Sequence, residues 1–410
     1  MQRVRSIVWP HRLLALLLLL AGTLSYSATA EVRERREVVP GVEYFNDRRA
    51  EGPLSIHVVK VDLERKELAV AAALAGGTVV GRRTVREIVN SWPPERGRPI
   101  AAVNGDYFEM GLKGDPRYAG ALQGAHISDG ELVHDPSGST FWVDGESRPH
   151  LALGTRFEGV LIGPDDLQSL FRLNCSTTAL PSEVRSADAV LFTPAFGPST
   201  RTDAGLEFVL RPVDERQWLP LRVNRKYDAV IESVSSKGDT PIRQGTVVVS
   251  MVERVGERWA HLRPGQRVSF TTDAEPDLSA AVSAVSGAPP LVVNGELHAA
   301  AADRQNRHPR TAIGFNDTHL FLVVVDGRQP DLSTGMSHGE LADLMKGLGC
   351  THALNLDGGG STTMWLDGKV VNSPSDAAGE RAVGSAVVVA KRADAHGSDV
   401  RQELSERRAE

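Results

Sequence analysis

The chain has 410 residues, enough for two domains or one large domain with insertions and for a sizeable core. Its 46 Lys and Arg against 52 Asp and Glu give a net charge of −6, and no basic stripe with interleaved aromatics appears, which argues against a nucleic-acid binder. Cys175 and Cys350 stand in no metal-ligand or redox spacing; in an oxidising compartment they can form one disulfide, whose geometry the sequence does not supply.

Residues 1–30 read as a secretory signal peptide. Arg3, Arg5 and Arg12 form a basic start, Leu13 to Ala21 an apolar run, and Ala28-Thr29-Ala30 a cleavage pattern. The run is short of the about 20 residues a membrane span needs, although an uncleaved anchor is the alternative. No later stretch is apolar enough to span a membrane, so the expected location is periplasmic or secreted.

Residues 31–39 are charged and read as a flexible lead-in to an N-terminal strand-rich part, 31–95. "LSIHVVKVDL" and "KELAVAAALA" are strands bounded by turn residues, and "TVREIVNSW" is a short helix. A larger part, 96–392, begins with the apolar strand "RPIAAVNGDYF", which breaks at Asn104-Gly105. "HISDGELVH" and "FWVDGESRPHLAL" are hairpins with Asp-Gly turns. Residues 155–285 read as further strands and loops, with Glu207 a solvent-facing strand residue. Residues 393–410 read as a flexible charged tail.

The stretch 318–391 is the most readable. "THLFLVVVDGR" is a buried strand ending at Asp326-Gly327-Arg328, followed by a loop that holds Ser333. Ser337 and Glu340 form a capping box, and Leu341, Leu344, Met345 and Leu348 share one helical face. "THALNLD" is a second strand, ending at Asp357. Strand–helix–strand implies two parallel strands and a right-handed crossover. The fold class expected is α+β or mixed α/β, with strand-rich mixed sheets and few helices. The loops at Asp326 and Asp357 then share one sheet edge, where ligand crevices form; Asn104-Gly105-Asp106 is a candidate third wall.

"NLDGGGSTTMW" invites comparison with phosphate loops. A P-loop needs a Lys and a helix after its glycines, whereas Thr362 to Leu366, the Asp367-Gly368 turn and Lys369 to Val371 make a hairpin. Gly358, Gly359, Gly360 and Ser361 therefore serve backbone geometry, either as a tight turn without ligand or as a nest of amides for an anion. In "NRHPRTAIGF", Pro309 holds His308 extended, and Arg310 offers a fork for phosphate or carboxylate.

Taken in order, "AAVNGDYF", "LFTPAFGPSTRTDAGLEF", "HPRTAIGF", "VVVDGRQPDLSTGMSHGELADLMKGLG", "ALNLDGGGSTTMW" and "ERAVGSAVVV" resemble the phosphodiester glycosidase family, that of N-acetylglucosamine-1-phosphodiester alpha-N-acetylglucosaminidase and of bacterial exopolysaccharide-related members. The resemblance runs from about residue 97 to 391. Asp106 departs from it, standing where the lysosomal member has a second glycine. The resemblance implies a hydrolase that cleaves a sugar from a sugar-1-phosphodiester and releases a phosphomonoester.

A phosphate ester leaves easily, so one carboxylate with charge-stabilising donors suffices where ordinary glycosidases use two acids. On that reading Asp357, in preference to Asp326, is the nucleophile or base, and His308 a proton donor. Arg310, Arg328 and the Gly358–Ser361 backbone bind phosphate, Asn104 and Asp106 hold sugar hydroxyls, and Gly105 and Ser333 are further substrate-binding candidates. No cofactor follows. Two alternatives stay open: a non-catalytic glycan-binding protein of envelope polysaccharide assembly, and a metal-dependent hydrolase with calcium or magnesium on Asp106, Asp326 and Asp357.

Overall fold

Leu320, Leu322 and Val324 face one side of their strand, Phe321, Val323 and Val325 the other, and all six are buried. Period-2 alternation with both faces covered explains why this segment reads as a continuous apolar run. In the computed structural model, which describes residues 31–49, 52–111, 115–176 and 187–392, it lies inside an eight-stranded sheet. The strand order is Glu31–Val39, Val42–Arg49, Leu54–Asp62, His319–Val325, Arg310–Phe315, His352–Asn355, Pro290–Val293 and Glu296–Leu297.

The helix His338–Gly347 covers one face of this sheet through Leu341, Ala342 and Met345. Its capping box forms as the spacing implies: Glu340 N donates to Ser337 Oγ at 3.3 Å and Ser337 N to Glu340 Oε2 at 2.9 Å, an arrangement worth about 1 kcal/mol. The other face packs on a five-stranded sheet ordered Lys369–Val370, Met364–Leu366, Arg98–Asn104, Ser385–Lys391 and Leu68–Leu74. The far side of that second sheet, through Ala102, Ala386 and Val388, meets the capped helix Val85–Asn90. An eleven-stranded sheet holds most of residues 126–287 around an aromatic core that includes Phe171, Phe208, Trp259 and Phe270. Strands dominate and helices are few, in a mixed α+β fold.

His319–Val325 and His352–Asn355 each pair antiparallel with Arg310–Phe315, which lies between them. They are therefore parallel, and their carboxyl ends share one edge with the start of the Arg310 strand. The hairpin after the glycine loop also forms, Trp365 pairing with Val370.

Two expectations change, and the open question of the cysteines closes. Residues 31–39 are a strand paired with Val42–Arg49, not a flexible lead-in; the charged side chains of Glu34 to Glu37 suit a sheet edge. Glu207 is fully buried rather than solvent-facing, accepting from Thr202 Oγ1 at 2.9 Å and Thr240 N at 3.3 Å. Cys175 and Cys350 are both free and buried. The leader 1–30 and the tail 393–410 lie outside the described residues. Among those residues no helix is long and apolar enough to cross a membrane.

Candidate active site

Every residue singled out from sequence around 104–106, 308–310, 326–333 and 357–361 belongs to one neighbourhood. Asn104 ties three segments together. Its Nδ2 donates to the Asp357 carbonyl at 2.6 Å, and its Oδ1 accepts from Thr311 Oγ1 at 2.7 Å and Thr363 N at 3.2 Å. Asp357 N in turn donates to the Gly105 carbonyl at 3.2 Å. The third wall thus comes from the second sheet.

Many of these side chains are spent on one another rather than turned outward. Asp106 is buried, and its carboxylate accepts from Ser286 N at 2.7 Å, Ser385 Oγ at 2.7 Å and Ser286 Oγ at 3.0 Å. His126 Nδ1 completes the set at 2.8 Å. A carboxylate so filled has little left for sugar hydroxyls, and Asn104 is equally occupied. Asp326 is also buried; Oδ2 meets His57 Nε2 at 3.1 Å, and Oδ1 accepts from Ser373 N at 2.9 Å and Asn372 Nδ2 at 3.1 Å. Ser333 donates from Oγ to the Asp326 carbonyl at 2.5 Å and, fully buried, braces that loop instead of facing a ligand.

The loop glycines do not form an open nest of amides. Gly358 N donates to Asp357 Oδ1 at 2.9 Å, Gly359 N to the Pro309 carbonyl at 2.9 Å, and Ser361 N to the Gly358 carbonyl at 3.2 Å. Their value is close approach. A Cβ at Gly360 would stand 2.0 Å from Arg381 Nη2 and 2.2 Å from Asp376 Oδ1, and one at Gly359 would stand 3.1 Å from Arg328 Nη2. Two guanidinium groups therefore lie directly against the loop.

Arg310 is not the open fork its sequence context suggested. Nε donates to the Met336 carbonyl at 2.9 Å, Nη2 to the Asn306 carbonyl at 2.9 Å, and Nη1 to His338 Nε2 at 2.7 Å. Arg328 differs. It is exposed, and its backbone sits at φ +60°, a conformation uncommon outside glycine and often kept where function requires it. Arg381, which sequence reading passed over, forms a bidentate pair with Asp376 at 2.7 and 3.0 Å.

Asp357 is the reactive-looking acid. Burial pushes its carboxyl up to about 6, against the opposing pull of Ser361, the Gly358 amide and Arg381. His308 is exposed; desolvation, then Arg310 and Arg328, lower its pKa, so it is neutral at pH 7 and poorly suited to donate a proton there. Tyr107 closes one side. Its hydroxyl donates to the Ala288 carbonyl at 2.9 Å and accepts from Asn355 Nδ2 at 3.0 Å. Burial, with Asp357 next, pushes that phenol up to about 12.

No three His, Cys, Asp or Glu side chains among the described residues group so as to hold a metal ion. Asp106 and Asp326 are each filled by their own hydrogen-bond partners.

Residues 221–390 match the phosphodiester glycosidase family, a segment that carries Asp326, Arg328, Asp357 and Arg381. The SPbeta prophage-derived uncharacterized protein YomE of Bacillus subtilis (strain 168) is 42% identical over 83 residues, 20% of this chain and 13% of that protein. A hypothetical protein from Synechocystis shares the fold with a TM-score of 0.66 and 18% identity, over 87% of this chain and 63% of the other. A protein from Burkholderia pseudomallei K96243 follows at TM-score 0.59 and 25% identity, over 83% of this chain and 74% of the other. The chain thus spans a small part of the Bacillus protein and under two thirds of the Synechocystis chain.

Proposed function

We propose, from the match to phosphodiester glycosidases, that this chain is an exported hydrolase that cleaves a sugar from a sugar-1-phosphodiester. The observation that carries the reading is a buried carboxyl raised to about 6 beside a close-packed glycine loop, against which the exposed Arg328 also lies. A group with that pKa is mostly ionised at neutral pH yet still basic enough to take a proton, which suits a general base. Arg328 holds the phosphate, and Arg381, paired with Asp376, packs against the loop at Gly360.

The bond between the anomeric carbon and the phosphate oxygen breaks, and the electrons leave on a phosphomonoester that needs charge stabilisation more than protonation. Asp357 either attacks the anomeric carbon itself or removes a proton from the attacking water. Asn104 fixes the Asp357 main chain, and Asp106 and Asp326 brace the two loops on either side. The test is a panel of sugar-1-phosphodiesters, with phosphomonoester release followed by NMR on wild type and Asp357→Asn. Inversion at the anomeric carbon identifies a base and retention a nucleophile. Saturable binding with no product from any ester, or undiminished turnover in Asp357→Asn, refutes the assignment.

A further inference from the structure

His57 lies on the strand Leu54–Asp62 and Tyr44 on the neighbouring strand Val42–Arg49, each 2% exposed. The Tyr44 hydroxyl stands 2.8 Å from His57 Nδ1, and His57 Nε2 stands 3.1 Å from Asp326 Oδ2. A buried hydroxyl needs a partner, and Nδ1 is the acceptor this one meets. Burial pushes the pKa of the phenol up, so it keeps its proton. Nδ1 therefore offers a lone pair, and the ring proton sits on Nε2, facing a carboxylate that only accepts. Ser55 Oγ lies 3.1 Å from the same nitrogen. Tyr44, His57 and Asp326 thus form one directed chain of donors.

The chain ends at the loop that carries Arg328. Asp326 Oδ1 accepts from Ser373 N at 2.9 Å and from Asn372 Nδ2 at 3.1 Å. Asn372 Nδ2 also donates to the Thr362 carbonyl at 3.1 Å, and Asn372 Oδ1 accepts from Met364 N at 2.8 Å. Both of those groups lie just past the glycines. Ser373 Oγ donates to Gln329 Oε1, and Gln329 Nε2 donates to the Ser373 carbonyl, each at 2.8 Å. Arg328 stands between the two anchored residues Asp326 and Gln329, so its loop and the glycine loop share one clamp at 372–373. Tyr44 and His57 lie outside 221–390, the segment matched to the family.

We propose that Tyr44 and His57 are positioning residues: through Asp326 they set Arg328 against the glycine loop beside Asp357, which makes two N-terminal strands part of the phosphate site. Their place in turnover rests on the hydrolase reading; their effect on anion binding does not. Without Tyr44, Nδ1 loses its donor and the ring is free to carry its proton there instead. Nε2 then turns a lone pair toward Asp326, the two repel, and the loop under Arg328 shifts. A misplacement of about 1 Å in a positioning group can cost on the order of 10²-fold in rate.

The full chain is titrated calorimetrically with methyl phosphate, at a temperature where each variant is folded, and assayed with a methyl sugar-1-phosphodiester. Tyr44→Phe and His57→Leu should each weaken methyl phosphate binding by about tenfold or more, the loss expected when a charge-assisted contact goes, and raise KM for the ester in step. Tyr44→Phe should add nothing to Arg328→Ala, because both act through one guanidinium. His57→Gln, which keeps an N–H donor of similar reach toward Asp326, should recover most of the affinity lost in His57→Leu. Nitrogen NMR of the imidazole should place the His57 proton on Nε2 in the wild type and show mixed tautomers in Tyr44→Phe. If His57→Leu does not fold, Tyr44→Phe alone and combined with Arg328→Ala decides. A Tyr44→Phe protein that melts lower yet binds methyl phosphate as the wild type does overturns the proposal. So do additive losses in the double variant, a wild-type His57 protonated on Nδ1, and a wild type that binds no methyl phosphate. Binding lost in this coupled way, in a chain that cleaves no ester, supports the positioning role and refutes only the hydrolase.

Discussion

Asn104 Nδ2 donates to the main-chain carbonyl of Asp357 at 2.6 Å, joining the end of a strand in the five-stranded sheet to the end of one in the eight-stranded sheet. The main chain of the candidate catalytic acid is thus fixed from the other sheet, while its carboxylate Oδ1 accepts from Gly358 N at 2.9 Å.

Asp357→Asn should lower turnover roughly 10²–10⁴-fold, the range for loss of a general base. It should also stabilise the fold at pH 7. A carboxyl moved from 3.8 to about 6 by burial is penalised when ionised, by up to about 3 kcal/mol. Chemical denaturation of both proteins checks the second part; a destabilised variant contradicts it.

The same group sets a pH dependence. The rate should fall as pH drops through about 6, the value to which Asp357 is raised, while the fold behaves oppositely. Between about 4 and 6 the folded state binds the proton the unfolded state has lost, so this group's contribution to stability declines as pH rises through that window. Rate profiles and denaturation at several pH values measure both, and a flat acid limb contradicts the role of Asp357.

Arg328→Ala should weaken binding of phosphate-bearing ligands by roughly 1.5–3 kcal/mol, the worth of a charge-assisted contact, with little change in thermal stability. Arg310→Ala should do the reverse. Its guanidinium ties the Met336 and Asn306 carbonyls, so its removal should cost roughly 1–3 kcal/mol of fold stability, chiefly by unpairing the buried Met336 carbonyl. Calorimetric titration with a phosphomonoester, paired with melting curves, separates the two.

Asp106→Ala should destabilise the fold by roughly 3–5 kcal/mol, because it breaks a buried charged network and strands its partners. A residue that only contacted sugar would lose affinity and leave the melting curve unchanged. Unfolding midpoints decide between these outcomes.

Gly360→Ala should disable the site without unfolding the chain. The new methyl would fall 2.0 Å from Arg381 Nη2 and force the Arg381–Asp376 pair away from the loop, at a cost of about 1–3 kcal/mol for overpacking. Loss of phosphate-ester turnover in a folded protein is the expected reading.

The sequence by itself determined the local elements near the candidate site: the capped helix after Ser337, the strand–helix–strand unit and the hairpin after the glycines. Capping boxes, apolar periodicity and turn residues act over a few positions, so a linear reading finds them. It also identified the loops that meet. Tertiary structure alone decided what each side chain does there. Asp106, Asp326 and Arg310 look as reactive in sequence as Asp357 and Arg328, yet they are filled by His126, His57 and the Met336 carbonyl. Those partners lie 20, 269 and 26 residues away. Hydrogen-bond saturation and desolvation depend on neighbours brought together by packing, and no local pattern records them. The placement of Arg381 against Gly360 was hidden for the same reason.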